Sequence, residues 1–345
     1  MSTHAGLRVV VTGATGNVGT SVVEALSKDP DVASVVGLAR RLPGLSVPGV
    51  EWAAVDLSRD DSPSALDRHL AGADAVVHLA WRFQPTHDPV TTWQSNVLGS
   101  IRVFEAVARA KVPALVHASS VGAYSPGPKD EPGVSEEWPT HGWPDAAYCR
   151  EKSYLERVLD AFELRHPRIR VVRMRSGFLF KEQAAGEQRR IFVGRCVPGA
   201  LLRPDLLPFV PGLAGLRFQA LHTDDAARAF RAAVVGDVRG PFNLAAEPVI
   251  DARELADLLE ARVVRVPRAL VRTALAAAWH SHAVPASPHL FDAVLRLPVL
   301  DCARARDLLD WRPNWTAREA LSSFLSGVRR DAGLDTPPLA GGRWG

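Results

Sequence analysis

The stretch that decides the fold is Val9-Val10-Val11-Thr12-Gly13-Ala14-Thr15-Gly16-Asn17-Val18-Gly19, near the start of the 345-residue chain. Glycine at every third position allows a tight turn, close approach of backbone N–H groups to a phosphate, and close packing of the following helix. The positive N-terminal end of that helix attracts the same anion. Three glycines can also form a purely structural turn, but their place between a strand and a helix predicts a dinucleotide site. The expected contacts are Gly13, Thr15, Gly16, Asn17, Val18 and Gly19.

The first 175 residues alternate between short apolar runs and helix-patterned stretches. The runs occupy residues 7–12, 32–39, 50–56, 75–80, 114–119 and 169–175. They are apolar throughout rather than at every second position, as in parallel strands covered on both faces. Residues 92–110 and 145–166 have the apolar spacing of amphipathic helices. The alternation predicts an α/β fold with a doubly wound parallel sheet.

The pattern changes after residue 175, where Gly, Pro and Arg become frequent. Helical spacing resumes later, at 223–235, 251–261, 268–279, 303–310 and 316–329. We therefore expect a dinucleotide-binding domain over 1–175 and a smaller C-terminal substrate-binding lobe over 176–335, with some of its elements returning to the sheet. The Pro/Gly-rich residues 336–345 are expected to form a loose tail.

Composition excludes several classes of protein. Lys and Arg number 41 against 38 Asp and Glu, a net charge of +3, without the basic stripe of a nucleic-acid binder. The apolar runs are shorter than the roughly 20 residues that span a bilayer. Three widely spaced cysteines fit a reducing compartment better than a disulfide framework. We expect a cytoplasmic protein with a small-molecule substrate and neither nucleic acid nor membrane as partner.

The end of the second strand bears on the choice of cofactor. An acidic residue that holds the NAD ribose would stand roughly 20 residues after the glycine turn, but Arg40 and Arg41 occupy this position. The planar guanidinium suits a phosphate, so the sequence favours NADP(H) over NAD(H). The alternative is that both are ordinary solvated charges. Asp56, which ends the third run, is expected either to accept a hydrogen bond from adenine or to cap the next helix.

Two residues of the helix over 145–166 suggest proton transfer. Tyr148 and Lys152 are four residues apart and therefore share a helix face. A free phenol has a pKa of about 10, and a neighbouring ammonium lowers that pKa and makes the phenol a usable acid or base. The fifth strand ends in Ser119-Ser120, at the sheet edge where ligands bind in such folds.

These motifs occur with others that together resemble one family. They are the turn 12–19, His78-Leu79-Ala80, Asn96-Val97-Leu98-Gly99-Ser100, the Ser120/Tyr148/Lys152 set, Leu221-His222-Thr223-Asp224-Asp225 and Asp310-Trp311-Arg312-Pro313. The chain resembles an extended short-chain dehydrogenase/reductase of the NAD(P)-dependent epimerase/dehydratase superfamily over nearly its whole length. The resemblance implies a Rossmann-type domain whose further cofactor contacts include Asp56, Leu57, Leu79 and Ala80.

The resemblance also implies catalytic roles. Tyr148 would be the proton donor or acceptor, and Ser120 would hydrogen-bond the reacting oxygen. Lys152 would bind the nicotinamide ribose and tune Tyr148, while Asn96 would order its helix or a proton-relay water. Ser119 is the neighbouring candidate; the four-residue interval to Tyr124 favours Ser120, and strand-end capping is the structural alternative for both serines.

The chain departs from nucleotide-sugar enzymes of this family. Their Asn after the sixth strand is missing from Arg173-Met174-Arg175-Ser176-Gly177-Phe178, and Phe218 stands where they tend to place a pyrophosphate-binding Arg, with Arg217 adjacent. Aromatic residues in loops near the expected substrate mouth suggest a more apolar substrate, although each could simply be packing. These residues are Trp81, Phe83, Trp138 and Trp143.

The leading hypothesis is an NADP(H)-dependent oxidoreductase that acts on a carbonyl or secondary alcohol. The alternatives are a nucleotide-sugar epimerase or dehydratase that retains NAD and, from another class, a non-catalytic dinucleotide sensor. By resemblance, a homodimer is expected through the helices at 92–110 and 147–166. Four arginines could capture an anionic substrate but more simply form a solvated face, and no metal site is expected from the nearby histidines. These residues are Arg189, Arg190, Arg195 and Arg203, and His280, His282 and His289.

Overall fold

A computed structural model describes residues 6–192, 194 and 208–341 of the chain. The strands are β1 Leu7–Thr12, β2 Val32–Ala39, β3 Val50–Ala54, β4 Ala75–His78, β5 Ala114–Ala118, β6 Arg170–Ser176, β7 Phe178–Phe180, β8 Phe209–Gly212, β9 Arg217–Phe218, β10 Ala220–His222, β11 Gly240–Leu244, β12 Ile250–Asp251 and β13 Arg262–Arg265. The helices are α1 Asn17–Ser27, α2 Ser62–Leu70, α3 Pro89–Trp93, α4 Gly99–Ala110, α5 Ala147–Arg165, α6 Ala185–Phe192, α7 Thr223–Val235, α8 Ala252–Leu259, α9 Arg268–His280, α10 Pro288–Val294, α11 Ala303–Leu308 and α12 Ala317–Arg330. Within the described ranges, none of these helices has the length and apolar character needed to cross a membrane.

Seven strands form one parallel sheet in the order β11-β6-β5-β4-β1-β2-β3. The chain moves outward from β1 through β2 to β3, then crosses back to β4 and continues in the other direction. This reversal confirms the expected doubly wound α/β fold of Rossmann type. Thr12, at the end of β1, pairs with Leu38 of β2 on one side and His78 of β4 on the other. The reversal therefore opens a crevice beyond these strand ends, where ligands of such sheets bind.

Helices cover both faces of the sheet, which explains why its strands are apolar throughout. Val9 and Val11 face the layer that contains α1 and α7. Val10 faces the opposite layer, with α2, α4 and α5. All three valines have no exposed surface, so the middle of β1 carries apolar side chains on both faces.

The C-terminal half contributes to both parts of the molecule. β11 pairs with β6 at the edge of the main sheet, and α7 packs against α1. The remaining strands form three small pairs, β7 with β10, β8 with β13 and β9 with β12. Of these strands, β7 lines the crevice beyond the carboxyl ends of the main sheet, together with residues of α6, α9, α10 and α12.

One expectation gains a detail and another needs correction. Residues 92–110 are helical throughout, as expected, but α3 passes into a π-helical segment over Gln94–Leu98 before α4 begins. Apolar spacing alone does not reveal such a wider turn. The tail is not loose through residue 341, since Thr336 and Leu339 are 2% and 1% exposed. Leu339 O accepts a hydrogen bond from Leu334 N at 2.9 Å, which closes the tail into a turn.

Candidate active site

The glycine turn forms a cradle that other residues would fill. Gly13 has a φ of +69°, and a Cβ there would lie 2.6 Å from Ala80 N. A Cβ at Gly19 would overlap the carbonyl oxygen of Gly13, so α1 begins as close to the turn as a helix can. In the described chain, no side chain caps the first turn of α1, which leaves its N–H groups available to an anion. The turn fits the pyrophosphate of a dinucleotide.

Side chains behind the turn hold it in place. Thr223 Oγ1, at the start of α7, donates to Asn17 Oδ1 at 3.1 Å, and Asn17 Nδ2 donates to Leu179 O at 3.2 Å. Ser21 Oγ of α1 donates to Asp224 Oδ1 at 2.7 Å. The motif 221–225 thus supports the cradle from below rather than entering the cleft.

One continuous cleft runs from this cradle across the ends of β4 and β5 to α6 and the C-terminal segment. The structure brings every site residue expected from the sequence to its walls. These are Gly13, Thr15, Gly16, Asn17, Val18, Gly19, Arg40, Arg41, Asp56, Leu57, Leu79, Ala80, Asn96, Ser120, Tyr148 and Lys152. Tyr148 follows the turn by more than 100 residues in the sequence, and the parallel sheet brings the two to the same cleft.

The basic pair lies at one end of the cleft. Arg40 and Arg41 are both exposed and follow β2 directly. Asp56 lies opposite and accepts hydrogen bonds from Ser58 N and Ser58 Oγ at 3.0 and 2.7 Å. Partial burial raises its pKa, but these bonds and the charge of Arg40 outweigh it and lower the pKa. Asp56 does not cap α2, since Asp61 holds the N-cap position.

Tyr148 lies at the other end, enclosed by aromatic rings. Phe83 stacks on it with centroids 5.0 Å apart, and Trp81 meets it edge-on at 5.6 Å. A Cβ at Gly122 would lie 2.7 Å from Tyr148 Cε1, so this glycine makes room for the ring. Burial raises the pKa of the phenol, and a hydrogen bond with Ser120 offsets only part of this rise. The expected lowering of the phenol pKa by Lys152 is therefore wrong for this arrangement, and Tyr148 is protonated at neutral pH.

Lys152 is 4% exposed and held from two sides. Its Nζ donates to Ala118 O at 2.7 Å and lies 3.5 Å from the ring centroid of Trp81. Burial lowers its pKa to about 7, although the carboxylates of Glu151 and Glu156 act in the opposite direction. The strand-end carbonyl and the indole fix the ammonium beside the cleft.

The two serines at the end of β5 have different partners. Ser119 Oγ donates to the buried carboxylate of Glu156 at 2.5 Å, behind the cleft. Ser120 Oγ accepts from Gly122 N at 3.0 Å and is close enough to Tyr148 to lower the pKa of the phenol. Both serines line the cleft, but the hydroxyl of Ser120 is the one beside the phenol.

Glu156 is a site residue that sequence reasoning missed. Its carboxylate is 1% exposed, accepts from Arg175 Nε and Nη2 at 3.0 and 2.8 Å, and accepts from Arg173 Nη1 at 3.0 Å. Burial raises its pKa, but the two guanidiniums and Ser119 hold it at about 2. Two signals were available: Glu156 follows Lys152 by four residues, and arginines inside a buried strand require an anionic partner.

Asn96 is fully engaged by protein. It is 1% exposed in the π-helical segment, where its Oδ1 accepts from Arg82 N at 2.7 Å and its Nδ2 donates to Arg82 O at 2.9 Å and Glu151 Oε2 at 2.7 Å. Thr92 Oγ1 donates to the same carboxylate at 2.6 Å. Asn96 therefore holds the loop that carries Trp81 and Phe83.

The remaining candidates are divided between the cleft, other parts of the fold and the stretch outside the described residues. Arg217 Nη1 pairs with Asp130 at 2.8 Å, and Phe218 packs against Phe178. No group of side chains that could hold a metal occurs among residues 6–192, 194 and 208–341. Arg189 and Arg190 line the cleft, whereas Arg195 and Arg203 fall outside the described residues.

The sequence is similar to a known protein family and to one characterised dehydrogenase. Residues 9–245, more than half of the chain, match the model of the NAD dependent epimerase/dehydratase family. A stretch of 113 residues is 35% identical to L-arabinose 1-dehydrogenase (NAD(P)(+)) of Haloferax volcanii. That match spans 33% of this chain and 41% of the curated relative, less than half of its length.

Several solved structures share the architecture. The UDP-glucose 4-epimerase of Thermus thermophilus in complex with NAD is 20% identical and gives a TM-score of 0.69 over 94% of this chain and 99% of that one. The dTDP-glucose 4,6-dehydratase of Streptomyces venezuelae with NAD bound is 19% identical, with a TM-score of 0.69 over 94% and 98%. At these identities the likeness shows the fold alone.

The buried Lys152 predicts a pH dependence of stability. The pKa of Lys152 is about 7 in the folded chain, and 10.5 is its usual value. At pH values between these two, the unfolded chain therefore binds a proton that the folded chain lacks. The free energy of unfolding therefore rises with pH in this window. We expect Lys152→Met to remove up to about 1.4 kcal/mol of that rise per pH unit. Denaturant titrations from about pH 7.5 to about pH 9.5 measure it.

Lys28→Met is the matched control, since the Lys28 side chain is 71% exposed. It should keep the wild-type pH slope. An equal slope for wild type and Lys152→Met would contradict the burial argument.

Proposed function

Because the chain belongs to the NAD dependent epimerase/dehydratase family, we propose that it is an NADP(H)-dependent oxidoreductase of the extended short-chain type. It moves hydride between nicotinamide and a carbonyl or secondary alcohol of a small, partly apolar substrate. The observation that carries the proposal is the phenol of Tyr148, which lines the same cleft as Ser120 and the glycine cradle. The family relative that is named a dehydrogenase supports the reaction class.

The arrangement favours carbonyl reduction at neutral pH. Tyr148 keeps its proton because burial raises its pKa, so it is ready to donate that proton to a carbonyl oxygen. Ser120 Oγ is placed to donate a hydrogen bond to the same oxygen. NADPH supplies the hydride to the carbonyl carbon when bound, so the carbonyl gains a hydride and a proton and becomes an alcohol. Reversal returns the proton to Tyr148.

Lys152 supports the proton transfer electrostatically. A pKa of about 7 means that the amine can change charge near neutral pH. In its charged form it stabilises the phenolate that remains after Tyr148 donates. Trp81 and the Ala118 carbonyl hold the ammonium in place while this happens.

The preference for NADP(H) rests on Arg40 and Arg41. Both line the cleft near the cradle, and the end of β2 has no acidic residue of its own that would select the ribose hydroxyl of NAD. Asp56 carries the nearest acidic charge described there, and Ser58 already engages it. Two exposed guanidiniums suit a ribose phosphate.

The walls around Tyr148 favour an apolar substrate. Phe83 stacks on the phenol and meets Phe192 at 5.9 Å. Further apolar side chains line the same part of the cleft: Trp81, Phe178, Leu290, Phe291 and Val294. Arg217, the described arginine nearest in sequence to the position used for a substrate pyrophosphate, pairs with Asp130 instead.

The alternative is a nucleotide-sugar epimerase or dehydratase with tightly held NAD. The solved structures that share the fold include a UDP-glucose 4-epimerase and a dTDP-glucose 4,6-dehydratase, both with NAD bound, and they favour it. It predicts that purified protein retains NAD and binds a nucleoside diphosphate. The aromatic walls and the engaged Arg217 support the reductase instead.

We expect Tyr148→Phe to lower turnover in a screen of carbonyl substrates by about 10²-fold or more, since the proton donor is lost. NADPH binding, measured by calorimetry, should be unchanged. Tyr154→Phe, on the same helix but 44% exposed, is the matched control and should keep full activity. Unchanged turnover in Tyr148→Phe would refute the assignment.

Cofactor preference is tested at Arg40. Arg40→Ala should weaken NADPH binding by about tenfold, the effect of one lost charge-assisted hydrogen bond, and leave NADH binding unaltered. Arg59→Ala removes an exposed arginine that pairs with Asp61 outside the cleft, and it should change neither affinity. Equal losses for both dinucleotides, or tighter NADH binding by wild type, would favour the epimerase or dehydratase hypothesis.

A homodimer through α3, α4 and α5 is also part of the proposal. Val90 and Tyr154 are 63% and 44% exposed on these helices, and the Trp93 ring packs 4.9 Å from that of Tyr154. Tyr154→Glu should shift sedimentation from dimer to monomer, because a charge buried without a partner is costly. Leu270→Glu, on α9, should not. A wild-type monomer at micromolar concentration would rule the dimer out.

A further inference from the structure

We propose that the segment 334–341, termed the strap, is part of the dinucleotide site and controls entry and release of the cofactor. This inference rests on the proposed function for the identity of the ligand. Pro337, Pro338, Ala340 and Gly341 line the same cleft as the glycine cradle and the Arg40–Arg41 pair. The family motifs do not include this segment, which follows the last helix of the fold.

The strap is fixed directly to the glycine turn. Thr336 Oγ1 donates to Thr15 O at 3.0 Å, and the two residues are 2% and 5% exposed. The carbonyl of Thr15 belongs to the same rigid peptide plane as the N–H of Gly16, inside the turn. That N–H donates to Gly13 O at 3.1 Å, so Thr336 helps to hold the shape of the turn that forms the cradle.

A second attachment fixes the loop that follows Arg40 and Arg41. The carbonyl oxygen of Asp335 accepts from Gly44 N at 3.0 Å and from Leu45 N at 3.1 Å. A Cβ at Gly44 would collide with the Asp335 carboxylate, so the strap and the loop are in close contact. The strap thereby limits the freedom of the chain that positions both guanidiniums.

A third attachment reaches across to α6. Arg190 Nη2 donates to Pro338 O at 2.6 Å, and Arg190 Nη1 donates to Ala340 O at 3.4 Å. Leu339 is 1% exposed and anchors the turn of the strap. The strap thus joins the turn, the loop after β2 and α6, three elements that surround the phosphate end of the cleft.

The composition of the strap suits a cover more than a ligand-binding loop. Pro337 and Pro338 have no N–H to offer a phosphate and are restricted in φ. They present a rigid apolar surface to the cleft. Because the attachments order these groups before the cofactor arrives, binding loses less entropy.

The experiment compares wild type with two variants, a chain ending at Gly333 and Thr336→Val. Stopped-flow fluorescence with an excess of competing NADP⁺ measures the dissociation rate of NADPH. Calorimetry measures the affinities of NADPH, of adenosine 2′,5′-bisphosphate and of reduced nicotinamide mononucleotide. Thr140→Val is the matched control, since Thr140 is 5% exposed but lies outside the cleft. Cooperative unfolding verifies that each variant is folded.

We expect NADPH to dissociate at least about tenfold faster from the shortened chain and about fivefold faster from Thr336→Val, as one hydrogen bond is lost. The affinity for adenosine 2′,5′-bisphosphate should fall in parallel in both variants, whereas the affinity for reduced nicotinamide mononucleotide should stay at the wild-type value. Thr140→Val should show wild-type rates and affinities. Wild-type rates and affinities in a folded shortened chain overturn the proposal. If that chain fails to fold, wild-type behaviour of Thr336→Val overturns it. Wild type that binds neither NADPH nor NADH overturns the proposed function itself, a result distinct from binding without dependence on the strap.

Discussion

The position of helix α5, which carries Tyr148 and Lys152, depends on the buried carboxylate of Glu156. It is 1% exposed and connects α5 to β6 through Arg173 and Arg175, and to the end of β5 through Ser119. A buried ion group of this kind is costly unless every partner is present, so it fixes the position of α5 closely. Lys152 and Tyr148 stand one and two turns earlier on the same helix face. The hydrogen bonds and ion pairs of Glu156 therefore determine where these two side chains lie in the cleft.

Burial then sets the chemistry of the site. Lys152 is buried and Tyr148 is half-buried, and desolvation favours the neutral form of each group. The phenol therefore keeps its proton at neutral pH, whereas the ammonium of Lys152 loses its proton more easily than that of an exposed lysine. On a solvated helix, where desolvation is small, the charge of a nearby lysine would dominate and lower the pKa of the tyrosine. The aromatic enclosure by Trp81 and Phe83 supplies this desolvation and at the same time shapes an apolar pocket.

Much of the fold could be predicted because the signals are local. Continuous apolar runs predicted six strands whose bounds agree with the structure within two residues, and helical spacing predicted α7 at 223–235. The π-helical segment at Gln94–Leu98 was not predicted. Asn96 and Thr92 donate hydrogen bonds there to Glu151, which is distant in the sequence and lies on another helix. The packed tail escaped for the same reason: Thr336 is ordered by Thr15, 321 residues away in the sequence.

By itself the sequence determined the family, the doubly wound sheet and the set of residues that meets at its crevice, because glycine spacing, strand pattern and Tyr-x-x-x-Lys spacing are written in short stretches. Only the tertiary structure decided which serine faces the phenol, that burial raises rather than lowers the pKa of Tyr148, and that Glu156 and the C-terminal segment belong to the site. These properties depend on desolvation and on contacts between distant parts of the chain. Neither is set by the identity of neighbouring residues, so neither appears in a local pattern.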